Sequence, residues 1–153
     1  MLDTNAVIRL CSPHETPVLI AQLVHAGTVE ILITHVQVDE LARVDDPEQV
    51  VQRVLALLRV RARLVTTNVF VLDVSRFDLG RLGGDEDNAA YRRHVGDGDA
   101  RNKHAEDALI AGAARAENAT LVTLNRQDLN RFRRGQPTLH ILDWAGFLAE
   151  LAI

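Results

Sequence analysis

The chain has 153 residues, a formal net charge of −4 and one cysteine, Cys11. That length fits one domain, residues 1–153, with enough chain for a sizeable core. The single cysteine excludes an internal disulfide framework and any cysteine-based zinc site. Aromatic residues are only 4% of the sequence, so Val, Leu, Ile and Ala must carry the burial. No charged-then-apolar leader opens the chain and no run of about 18 apolar residues occurs, so a cytoplasmic protein without a membrane span is expected.

Residues 1–3 read as the end of a very short strand, with Thr4 or Asn5 placed to cap the turn that follows. Residues 16–26 have helical spacing in Val18, Leu19, Leu23 and Val24, and Gly27 stops the helix. Residues 30–34 are a β-branched run that predicts a buried strand, and 35–44 a short helix. Pro47 opens a longer helix with Val50, Val51, Val54, Leu55 and Leu58 at helical spacing. Residues 69–74, 119–124 and 139–142 predict a third, fourth and fifth strand. The stretch 78–103 holds Gly83-Gly84, acids at 85–87 and Gly96-Asp97-Gly98-Asp99, with a short helix over 88–95 between loops. A helix around Asp107 is apolar nearly all round (Ala105, Ala108, Leu109, Ile110, Ala111), which predicts burial. A short helix follows through Leu129 and Phe132, and Asp143 caps a terminal helix over 144–151. Strands alternating with helices predict a parallel sheet covered on both faces.

Four acids stand out against this frame: Asp3, Glu40, Asp107 and Asp128. Three of them sit at strand–loop–helix junctions. In a parallel sheet the strand carboxyl ends share one edge, where ligand sites form. Converging carboxylates repel and raise one another's pKa unless a cation holds them. Mg²⁺ or Mn²⁺, which take oxygen ligands, suit that role and point to phosphoester chemistry. On a helix from His35, Glu40 shares the apolar side with Val36 and Val44, whereas Asp39 lines up with His35 and Arg43 on the polar side. Periodicity does not choose between Glu106 and Asp107, and both lie near a helix N-terminus that favours a carboxylate without any metal. Asn125 and Asp128 follow the fourth strand, and either is placed to face the site. His104 lies one turn before Asp107. Positive charge is almost all arginine, clustered at Arg59-Arg61-Arg63, Arg92-Arg93, Arg101-Lys103 and Arg131-Arg133-Arg134. Arginine suits bidentate phosphate contacts, although such clusters are more often solvated helix faces.

Together the segments resemble the PIN-domain nuclease family and, in size, the VapC-type toxins of bacterial toxin–antitoxin pairs. The matching stretches are Asp3-Thr4-Asn5, Glu40 in a helix after the second strand, Glu106-Asp107-Ala108-Leu109-Ile110-Ala111, and Val122-Thr123-Leu124-Asn125-Arg126-Gln127-Asp128-Leu129. Glu106 stands where the family has Asn, and the match selects Asp107 over Glu106. The resemblance implies a three-layer α/β/α sandwich with a central parallel sheet of about five strands. It implies an endoribonuclease dependent on Mg²⁺ or Mn²⁺, with Asp3, Glu40, Asp107 and Asp128 as metal-binding catalytic acids. Thr4, Asn5, Thr123 and Asn125 would support them, the arginine clusters would hold RNA by its backbone, and the partners would be a second copy and a small antitoxin.

Two rival readings remain. One is a catalytically inert PIN-like module that binds RNA or protein. The other is a phosphorelay receiver domain, which needs a Lys at the end of a late strand. The only Lys, Lys103, precedes a helix instead.

Overall fold

In the computed structural model, which describes residues 1–11, 15–96, 100–124 and 126–153 without the side chains of 15, 100–103 and 126–128, short strands alternate with helices. In chain order these are α1 (Thr4–Leu10), α2 (Glu15–His25), β1 (Leu32–Thr34), α3 (His35–Ala42), α4 (Pro47–Arg59) and β2 (Arg63–Val65). Then come α5 (Asp85–Val95), α6 (Ala100–Ala116), β3 (Leu121–Thr123), α7 (Arg126–Gly135), β4 (Ile141–Asp143) and α8 (Trp144–Glu150). The fold is mixed α/β. No helix among the described residues is long and apolar enough to cross a membrane.

β1 pairs with β2 and β3 with β4, both in parallel, with Leu32 opposite Arg63 and Leu121 opposite Ile141. Leu2 forms a parallel bridge to Val122. Asp3 N donates to the Val122 carbonyl at 2.9 Å, and Val122 N donates to the Met1 carbonyl at 2.9 Å. The expected very short first strand is therefore one bridged residue beside β3. Among the described residues the ladders are two separate pairs rather than one run of five strands.

The chain crosses from one pair to the other through a buried amide. Gln37, fully buried in the first turn of α3, accepts from Thr34 N at 2.6 Å and donates to the Leu2 carbonyl. It joins the carboxyl end of β1 to the segment that bridges β3. Gln37→Leu strands a buried donor and a buried acceptor, each costing about 1–3 kcal/mol. The expected loss of about 2–4 kcal/mol is read from urea denaturation, and a loss below about 1 kcal/mol refutes the bridging role.

Strand side chains alternate between two apolar clusters. Leu32 and Leu121 enter one with Val36, Leu109, Ile110 and Phe132, while Ile33 and Val122 enter the other with Leu2, Val7, Ile20 and Phe147. Both faces of these strands are covered, as continuous apolar strands require.

Three sequence expectations need correction. Residues after Asp3 form a helix rather than a turn, and its cap is Asp3 itself, whose Oδ1 accepts from Ala6 N at 2.7 Å. Residues 69–74 are not a strand. The Val71 carbonyl accepts from Ser75 N at 2.8 Å, Ser75 Oγ accepts from Val71 N at 3.0 Å, and Asp73 sits at φ 66°, so the chain turns there. The strand lies earlier, at Arg63–Val65, where Arg63 and Leu64 are exposed and only Val65 is buried. His35, assigned to the polar side of α3, is buried instead, being 1% exposed with its Nε2 facing the Arg76 amide at 3.4 Å.

The helix expected at 88–95 begins at Asp85 with three acids in its first turn. Arg115 of α6 clamps that turn through Glu86 at 2.7 Å and through Asp87, and Asn68 donates to Asp87 at 2.7 Å.

Candidate functional site

The site forms where α1, α3 and α6 meet beyond the carboxyl ends of the strands. Thr4 opens α1 and donates its hydroxyl to Glu40 Oε2 on α3. α6 brings Glu106 into side-chain hydrogen-bonding reach of Glu40, with Asp107 close behind. The helical-wheel distinction on α3 holds, because Asp39 turns away to Arg76 on an exposed surface, with Arg76 Nε at 3.2 Å.

Glu40 is the perturbed acid. Burial is the largest influence, and the charges of Glu106 and Asp107 add to it against the Thr4 hydrogen bond, so its pKa rises from 4.5 to about 7. The other two carboxylates have cationic partners. Arg43 meets Glu106 at 2.6 Å, Arg131 meets Asp107 at 3.0 Å, and His104 Nδ1 lies 3.9 Å from Asp107.

Glu106 is the site residue that sequence reasoning set aside. Neighbours on a helix point about 100° apart, so both side chains can reach one broad site from adjacent edges. Spacing held no signal for Glu106, because its partner Arg43 also has Asp39 and Glu40 one turn earlier in the sequence.

Asp3 is 5% exposed and is held by its role as cap of α1, immediately before the Thr4 that contacts Glu40. Thr123, at the end of β3, is fully buried, whereas Asn5 is exposed. Asn125 and the Asp128 side chain lie outside the described residues.

The donor set suits a hard divalent cation in kind, being carboxylates that repel one another at a strand edge. Among the described residues, no three His, Cys, Asp or Glu side chains are gathered closely enough to hold a metal ion. Mg²⁺ keeps several of its waters and is commonly bound through one or two carboxylates, which is the kind of set that Glu40 and Asp107 offer.

The arginine clusters divide by position. Arg131 stands in the site. Arg63 opens β2 at the opposite end of the strands, where it pairs with Glu30 at 2.6 Å and Glu117 at 3.2 Å. Comparison with protein-family models, curated proteins and solved structures gives no match, so function is argued from the chemistry of the site itself.

Proposed function

We propose that the chain is a divalent-metal-dependent endoribonuclease of PIN-like, three-layer α/β/α architecture, acting as the toxin of a toxin–antitoxin pair and silenced by a small antitoxin. The observation that carries this reading is the crowding of Glu40 by Glu106 and Asp107, beside Asp3 and Thr4. A carboxyl whose pKa is raised by burial together with specific charged neighbours is a candidate for a functional site. The Leu2 bridge and the two apolar clusters support a central sheet of about five strands ordered through Leu2.

In this reading Asp3, Glu40 and Asp107, completed by Asp128, hold Mg²⁺ or Mn²⁺. Such a cation, when bound, supplies Lewis acidity and a water activated at neutral pH. The rest is the work of the chain. Thr4 fixes the Glu40 carboxyl, and Arg43 offsets the charge of Glu106. Arg131, which pairs with Asp107, would hold an RNA phosphate through its planar fork. Thr123 and Asn125 orient the carboxylates.

The guanidinium pairs on Glu106 and Asp107 favour a second reading, an inert RNA-binding or protein-binding module whose acids are already neutralised. Cleavage of generic single-stranded RNA with Mg²⁺ or Mn²⁺, and with a chelator, separates the two. The nuclease reading expects cleavage that the chelator and Asp3→Asn both abolish, while Asp39→Ala keeps the rate within about twofold, as expected of a substitution at an exposed ion pair. Absence of cleavage, or cleavage indifferent to chelator and to Asp3→Asn, overturns it.

A further inference from the structure

Helix α4 carries an apolar stripe that the described residues leave open. Val51, Val54, Leu55 and Leu58 are 56%, 49%, 55% and 66% exposed, whereas Ala56 on the other side is buried. The spacing i, i+3, i+4, i+7 puts the four on one line, the pattern that seats a helix against another helix. Scattered exposed apolar residues need no explanation, but a contiguous stripe marks an interaction surface.

The charges beside the stripe indicate what covers it. Glu48 lies in the first turn of α4 and Arg59 in the last, both exposed and without an ion pair among the described residues. At about 100° per residue the two fall within about 20° of one line along the same edge of the helix. In an antiparallel pair related by a two-fold axis, that edge stays on its own side. Glu48 of each copy then stands beside Arg59 of the other, twice. The same operation sets Val51 against Leu58 and Val54 against Leu55. A parallel pair about a two-fold axis would send the two edges to opposite sides, leave Glu48 and Arg59 unpaired and set the helix dipoles side by side in the same direction.

We propose that α4 is the interface of a homodimer in which two copies of this chain pack antiparallel through Val51, Val54, Leu55 and Leu58, with Glu48 and Arg59 pairing at both ends. A two-fold contact of this kind is self-complementary and closes. The proposal names a surface for the dimer that the nuclease reading includes, but it rests on α4 alone. Its test reads mass rather than cleavage, so either can fail without the other.

Sedimentation velocity on the full chain at concentrations on the order of 1–100 μM, the range of modest interfaces, is expected to give a dimer. Leu58→Glu is expected to give a monomer with unchanged far-UV circular dichroism. Glu48→Arg and Arg59→Glu each set like charges together and are expected to weaken association about tenfold or more. An equimolar mixture of these two variants restores both pairs and is expected to dimerise again. A monomeric wild-type chain, a dimer that survives Leu58→Glu, or a mixture that fails to associate overturns the proposal.

Discussion

Glu40→Gln is expected to cut RNA cleavage on the order of 10³-fold, the effect of losing several kcal/mol of transition-state charge stabilisation, and to stabilise the chelated protein above pH 7. The two effects have one cause. Glu40 has a folded pKa of about 7 against an unfolded value of 4.5, first through burial and then through the charges of Glu106 and Asp107. The folded state therefore holds the proton more tightly, and stability present below pH 4.5 is lost as pH rises through 7. The full shift corresponds to about 3 kcal/mol. Glu40 is partly exposed, and screening reduces the expected gain in Glu40→Gln to about 1–2 kcal/mol at pH 8. Urea denaturation in chelator at pH 4.5 and pH 8 should show the two proteins alike at the lower pH and the variant ahead at the higher. A variant that is less stable at pH 8 would mean that Glu40 is an ordinary structural acid.

His94 is expected to impose the opposite slope. It is 5% exposed, neither ring nitrogen has a hydrogen-bond partner among the described residues, and its ring lies 5.2 Å from that of Phe132. Gly135 presses beneath it, where a Cβ would come within 2.7 Å of His94 Cβ and Nδ1. Burial, helped by the charges of Arg131 and His104, lowers its pKa from 6.5 to about 4. The unfolded chain takes up a proton that the folded chain resists. Stability present above pH 6.5 is lost as pH falls towards 4, by up to about 3 kcal/mol. His94→Leu keeps the apolar contact with Phe132, removes two unsatisfied nitrogens and abolishes the slope. It is expected to be more stable than wild type by about 2 kcal/mol at pH 5. The measurement is a series of chemical denaturations from pH 4 to 7.5 in chelator. If His94→Leu loses stability as steeply as wild type below pH 6, another group carries the acid sensitivity. Because Glu40 and His94 act in opposite directions across overlapping windows, wild type itself should look flatter than either variant.

Much of the local architecture was legible in the sequence. Pro47 and the spacing of Val51, Val54, Leu55 and Leu58 predict α4, and the β-branched run before Thr34 predicts β1. The choice of Glu40 over Asp39 also follows from the sequence, since adjacent helical residues point about 100° apart. What local spacing determines is the direction of a side chain relative to its own backbone.

What stands opposite each side chain was decided only in the tertiary structure. Spacing makes the α4 stripe apolar but does not say that the described residues leave it exposed. It leaves Glu106 and Asp107 undecided, and the resemblance selects Asp107 alone, whereas Glu106 joins the site through Glu40 and Arg43 in the tertiary structure. Residues 69–74 have strand composition, yet the Ser75 hydroxyl and a positive φ at Asp73 turn them. Arg63–Val65 looks like a basic surface segment, yet its backbone groups pair with β1 at the edge of a ladder. Those outcomes rest on contacts between residues far apart in the chain, and the free energy of such contacts exceeds the small intrinsic preferences that a short segment carries.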